Sequence, residues 1–111
     1  MAKGEHLGEF EHIVLVAVLR LGSGTYGAAI RREIEARTRR SLTVGALYRT
    51  LDRLEAKGYL RSWAGDPTPE RGGRSKRHFE VRPLGVRILR ASRAAIAAMW
   101  DGLEPEVTRG S

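Results

Sequence analysis

Residues 41–63 read SLTVGALYRTLDRLEAKGYLRSW, and their reading decides the fold. Thr43 is an N-cap by type, because its hydroxyl can accept from a backbone N–H that the first helical turn leaves unpaired. Gly58 suits the position just past a helix end, where the chain enters the left-handed region. The spacing between them predicts about four turns of helix. Val44, Leu47, Tyr48, Leu51 and Leu54 recur at steps of three and four and form one apolar stripe, which must face a core. On this reading the opposite face holds Gly45, Ala46, Arg49, Thr50 and Arg53. Small residues at its front allow close approach to another surface, and the two arginines carry forked donors that suit guanine edges or phosphates. Such a face belongs either to a recognition helix or to an ordinary solvated one, and the helix alone leaves both open.

The rest of the chain narrows the choice. A length of 111 residues holds one domain with a modest core. Lys and Arg outnumber Asp and Glu by 20 to 13, giving a net charge of +7, so the surrounding field attracts polyanions such as nucleic acid or an anionic membrane. The uncharged apolar run at residues 13–19 falls far short of the roughly 20 residues of a membrane helix, and the start of the chain has no signal-peptide pattern. A soluble, cytoplasmic protein is expected. Cysteine is absent, which excludes disulfides, thiolate chemistry and Cys-ligated zinc.

Upstream, Phe10, Ile13, Val14, Ala17, Val18 and Leu21 have helical spacing, while Leu15, Val16 and Leu19 make much of the other side apolar as well. A helix apolar nearly all round needs partners on two faces, which so short a chain supplies poorly; a second subunit is expected to cover part of it. Thr25 then reads as the N-cap of a short second helix ending near Arg37, with Tyr26, Ile30 and Ile34 four apart. Two short helices, the second with a basic, small-residue face, make a helix-turn-helix.

Downstream, residues 59–64 and 76–81 alternate as strands and are expected to pair as a hairpin. The connection GDPTPERGGRS at residues 65–75 is too long for a tight turn and suits a projecting wing. Arg71, Arg74, Lys76 and Arg77 make its far side basic, with Gly72 and Gly73 allowing close backbone approach to a phosphate. Pro83 fits the first turn of a last helix reaching about Gly102. Along it Leu89, Ile96 and Leu103 stand seven apart, with Ser92 and Met99 between them. This stripe is too short for a free coiled coil but suits a dimer interface against the first helix of a partner.

The expected fold is therefore mainly α with a small two-stranded β wing: a winged helix-turn-helix over residues 1–82, a dimerisation helix over 83–104 and a disordered tail over 105–111. Four stretches, LGEFEHIVLVAVLRL, TYGAAIRREIE, GALYRTLDRLEAKGYL and RGGRSKRHFEV followed by PLG, resemble the PadR-like transcriptional regulators over residues 7–103. The third is the most specific, joining a Leu-Tyr pair, a Leu-x-x-Leu-Glu run and a Lys-Gly turn at fixed spacing. The sequence departs from the family where His78 and Phe79 replace two tyrosines, and where Arg82 and Pro83 replace a Thr-Glu pair. What the resemblance implies is a bacterial regulator, usually a repressor, of the compact branch, which dimerises through its first and last helices and binds an inverted-repeat operator.

By position, Arg49, Thr50 and Arg53 are the candidates for base edges. Tyr26, Thr43, Tyr48, Arg71, Arg74, Lys76 and Arg77 are those for phosphates, although Tyr48 also reads as a core residue. Leu15, Leu19, Leu89, Ile96, Met99, Trp100 and Leu103 are the candidate dimer interface. Two-fold symmetry would place the third helices in successive major grooves about 34 Å apart, and so demand a pseudo-palindrome in double-stranded DNA. Some relatives are thought to admit flat apolar ligands at the interface, which makes Trp100 and Met99 candidates for a planar hydrophobic effector; their other reading is plain interface filling. No cofactor or metal is implied, and His6, His12 and His78 lack partners at catalytic spacing, so no enzyme is expected. The alternative from another class is a winged helix used as a protein-protein adaptor.

Overall fold

The computed structural model describes residues 7–65 and 76–103. Its order is α1 (Glu9–Leu21), β1 (Thr25–Tyr26), α2 (Gly27–Thr38), α3 (Val44–Ala56), β2 (Leu60–Ala64), β3 (Arg77–Val81) and α4 (Pro83–Trp100). The fold is mainly α with a small antiparallel sheet, as the sequence predicts. Arg71, Arg74, His6 and the tail at 105–111 lie outside the described residues.

α3 begins and ends where its residues dictate. Thr43 Oγ1 accepts from the Ala46 amide at 3.1 Å. At the other end the Gly58 amide donates to Glu55 O at 2.9 Å and the Tyr59 amide to Leu54 O at 3.0 Å. This Schellman pairing turns the chain through Gly58 at φ 83°. The turn delivers Tyr59 and Leu60 into the core and starts β2.

One strand is new. Thr25 is not the cap of α2; its backbone, with that of Tyr26, pairs antiparallel with Phe79 and His78, and Tyr26 takes the N-cap position without a side-chain cap. The sheet therefore has three strands in the order β1-β3-β2. β2 and β3 form the expected hairpin, with Leu60 opposite Val81 and Ala64 opposite Arg77. The Gly65 amide closes it by donating to Lys76 O at 2.7 Å.

The core lies where α1, α2, α3 and the sheet converge. Val14, Leu15 and Val18 of α1 meet Ile30 and Ile34 of α2, Leu47, Leu51 and Leu54 of α3, and Leu60 and Phe79 of the sheet. Each such side chain contributes roughly 1.5–3 kcal/mol by leaving water. The chain thus covers more of α1 than its all-round apolarity suggested, leaving Val16, Leu19 and Leu21 exposed. α4 starts with Pro83 in the first turn, as expected, and packs on α1 through its first half. There Leu89 is buried and Ser92 Oγ lies 3.1 Å from His12 Nδ1. Beyond Ser92 every residue of α4 is exposed.

Candidate nucleic-acid interface

The side chains of α3 divide around a buried row of Leu47, Thr50, Leu51 and Leu54. Opposite that row, at 100° per residue, stand Gly45, Arg49, Asp52 and Ala56, all exposed. This outer face is turned by about half a residue step from the one inferred from sequence. Two residues explain the turn. Val44, counted in the apolar stripe, is 52% exposed, whereas Thr50, counted on the outer face, is 2% exposed. Thr50 Oγ1 satisfies itself by donating to Ala46 O at 3.0 Å, so a threonine fits a core position and cannot reach a base edge.

Arg49 is exposed on the outer face. Its guanidinium folds beside Gly45, with Nη1 3.4 Å from where a Cβ would stand, and among the described residues it takes no carboxylate. Arg53 lies to one side and is engaged: its Nε donates to Glu11 Oε2 at 3.1 Å and its Nη2 to Thr50 Oγ1 at 3.3 Å. It is half exposed, but its first duty is to join α3 to α1.

Glu11 is the partner that the sequence did not reveal. It is buried in α1, accepts from the Gly8 amide at 3.1 Å, and also takes Lys57 Nζ at 3.1 Å. Burial by itself would raise its pKa, but the Gly8 amide, Lys57 and Arg53 outweigh burial and hold the carboxyl below its ordinary value. A single glutamate thereby fixes both the entry of α1 and the C-terminal half of α3. Nothing local announces its ion pairs, since Arg53 and Lys57 lie more than forty residues away.

Among the phosphate candidates, Thr43 and Lys76 are exposed. Thr43 is exposed, and its capping bond uses only an oxygen lone pair, so its hydroxyl can still donate. Lys76 sits with Nζ 4.1 Å from the Tyr26 ring centroid, and the Tyr26 hydroxyl lies 3.5 Å from Arg32 Nη2. Tyr26, Arg32 and Lys76 thus form a basic cluster where β1, α2 and the wing meet. Tyr48 is half buried beside Phe79, as its core reading required, and its hydroxyl fills the space above Gly27.

Arg77 is engaged within the fold. Its Nη1 lies 2.8 Å from Asp52 Oδ1, its Nη2 2.8 Å from Glu55 Oε1, and its Nε donates to Ser62 Oγ at 3.1 Å. Burial would lower its pKa, but Asp52 and Glu55 outweigh it and raise it. Glu55 is held below its ordinary value chiefly by the Ser62 hydroxyl, then by Arg77. The guanidinium is first a brace between α3 and the wing, and leaves one N–H on each terminal nitrogen for any phosphate. The turn before α3 is basic too, with Arg39 in the left-handed region at φ 57° and Arg40 Nη2 paired to Glu9 Oε1 at 3.0 Å.

Of the interface candidates, Leu15 (0% exposed) and Leu89 are spent inside this chain's own core and have no surface to offer. Leu19 at 48%, with Ile96, Met99, Trp100 and Leu103, remains exposed, and Val16 joins them. Between α1, α2 and the first half of α4 opens a cleft of about 640 Å³ with Ile13, Val16 and Leu19 on its wall and Arg90 and Arg93 at its edge. Trp100 and Met99 do not line it. No helix among the described residues is long and apolar enough to cross a membrane.

Comparison with known proteins adds a family and a fold. The model of the transcriptional regulator PadR-like family matches residues 15–91. Among solved structures, the chain is similar to a transcriptional regulator from Clostridium thermocellum (TM-score 0.68, 20% identity, covering 86% of this chain and 89% of that one). A PadR family regulator from Eggerthella lenta gives 0.67 at 23% identity, with coverage of 89% and 86%. A PadR-like transcription factor from Bacteroides fragilis gives 0.64 at 19%, with coverage of 92% and 89%. Among curated proteins no match was found.

Proposed function

The chain belongs to the PadR-like family of transcriptional regulators, and from that premise we propose that it is a homodimeric repressor of a pseudo-palindromic operator. The family's role is DNA-binding regulation and not enzymatic catalysis. What carries the finer reading is the outer face of α3, where the unpaired Arg49 guanidinium lies over Gly45 on a surface that no other element of the described chain covers. An arginine in that position can take the O6 and N7 of a guanine in the major groove.

Thr43, Tyr26 and Lys76 then contact the backbone on either side of the groove, with the Tyr48 hydroxyl at the helix edge. Arg71 and Arg74 are assigned to phosphates on their sequence alone. Arg53 is assigned to the fold first and to DNA only through the donors its ion pair leaves over. Residues 1–82 serve as the DNA-binding unit and 83–104 as the dimerisation helix. Val16 and Leu19 on α1, with Ile96, Met99, Trp100 and Leu103 on α4, are apolar surface that a second copy would remove from water. Such a protein works in the cytoplasm, beside the chromosome. A planar hydrophobic effector, if one acts, enters beside Trp100 and Met99; titration of Trp100 fluorescence with planar compounds, against Trp63 as background, reads it.

Selection of bound duplexes from a random DNA pool tests the whole reading. The expected product is an inverted repeat with half-site centres about 10 bp apart. Recovery of unenriched sequence, with affinity insensitive to salt, would sink it in favour of a protein-binding adaptor.

A further inference from the structure

Asp52 is one of the two carboxylates that hold Arg77. It stands on the outer face of α3 with Gly45, Arg49 and Ala56, and its side chain is 61% exposed. A carboxylate there is a liability on a surface meant for a polyanion, because it repels phosphate. The structure offsets that cost. Arg77 Nη1 lies 2.8 Å from Asp52 Oδ1, and Arg77 is itself held by Glu55 at 2.8 Å and Ser62 at 3.1 Å. The carboxylate is therefore anchored from the wing side by a guanidinium whose charge it shares with Glu55.

The anchor has a second effect. Arg49 precedes Asp52 by three positions, a spacing at which the two would otherwise pair along the helix. With Arg77 on Asp52, Arg49 keeps its donors. The outer face thus presents a forked donor and, one turn on, a fixed acceptor.

We propose that Asp52 is a specificity-determining residue that accepts a hydrogen bond from the N4 amino group of a cytosine in the major groove. The inference rests on α3 being the helix that reads DNA, as proposed above. An ionised carboxylate is acceptor-only and has about four lone-pair sites, so one guanidinium does not saturate it. Major-groove edges offer it two donors, the amino groups of cytosine and adenine. Adenine shows its N7 acceptor on the same edge, which a carboxylate repels; cytosine shows none there. Arg49, one turn away, suits guanine. Together they demand a G·C pair, or two adjacent ones, in each half-site.

Random-duplex selection on the full chain, run in parallel with Asp52→Asn and Asp52→Ala, tests this. The unaltered chain is expected to specify a cytosine at one column of the half-site. In Asp52→Asn, which still offers Arg77 an acceptor but adds an amide donor, that column is expected to lose about fivefold or more in cytosine preference and to admit adenine, whose N6 and N7 an amide matches. In Asp52→Ala, where Glu55 still holds Arg77, the same column is expected to go flat while the others stand. Variant profiles identical to that of the unaltered chain would overturn the inference, even with a lowered melting temperature, since that is the result of a purely structural ion pair. A motif without any G·C pair would overturn it as well. If the unaltered chain enriches nothing, the regulator reading fails first and this inference with it.

Discussion

Nε of Arg53 donates to Oε2 of Glu11 across 3.1 Å, so an arginine of α3 is bound to a buried carboxylate of α1. Its consequence is a division of labour between two arginines one turn apart. Arg49→Ala should leave stability within about 0.5 kcal/mol, as surface substitutions do, yet cost about 1–3 kcal/mol of affinity for the selected duplex and relax its preference. Arg53→Ala should instead lower stability by on the order of 1 kcal/mol, because Glu11 loses one of its donors while remaining buried. Urea denaturation and duplex titration on both variants measure the split. Equal loss of sequence preference at unchanged stability would return Arg53 to the reading set.

Two pH windows should be separable. Glu11 has a folded pKa below the ordinary 4.5, so its contribution is present above that value and disappears as pH falls through the folded one. His12 is different: burial lowers its pKa from 6.5, so below 6.5 the unfolded chain takes up the proton first and stability declines toward acid. Urea midpoints followed from pH 8 down to acid should show an early fall that His12→Gln removes and a later one that Glu11→Gln removes. A profile unchanged by either substitution would contradict both assignments.

Tyr48 occupies the place a Cβ on Gly27 would need, with the hydroxyl-bearing ring carbon only 2.6 Å from it. Gly→Ala at an open helical position stabilises by roughly 0.5–1 kcal/mol. Here the sign should reverse, to a loss of about 1–3 kcal/mol from overpacking. A double-mutant cycle with Tyr48→Leu should recover part of that loss, since the leucine vacates the site. Additive effects would mean the ring moves aside without cost.

Leu15 and Leu19 are one helical turn apart on α1, the first buried and the second exposed. Leu15→Ala should cost about 2–5 kcal/mol through the cavity it leaves. Leu19→Glu should spare the fold and abolish self-association, because it puts a charge on the proposed dimer face. Sedimentation equilibrium and urea denaturation distinguish them. A dimer undisturbed by Leu19→Glu would move the interface elsewhere.

Much of the fold was legible because its signals are local. The Thr43 cap and the Gly58 turn each involve hydrogen bonds spanning three to five residues, and both fall where the sequence places them. Pro83 opens α4 for the same reason. β1 was not legible, because two residues carry no periodicity and Thr25 becomes a strand only through Phe79. The outer face of α3 was nearly legible. Centring the stripe on Leu47, Leu51 and Leu54 brings Asp52 outward; giving weight to Val44, at the helix's first turn, and to Tyr48 rotates it away.

The sequence by itself determined the helices, the hairpin, the family resemblance and the outward place of Arg49 on α3, since capping, periodicity and spacing act within a few residues. Only the tertiary structure decided which cations are spoken for. Arg53, Lys57 and Arg77 look as available in the sequence as Arg49 does, but Glu11, Asp52 and Glu55 claim them across α1, α3 and the wing. The physical reason is that an ion pair depends on distance in space, and distances between residues so far apart along the chain are fixed only when the core brings their elements together.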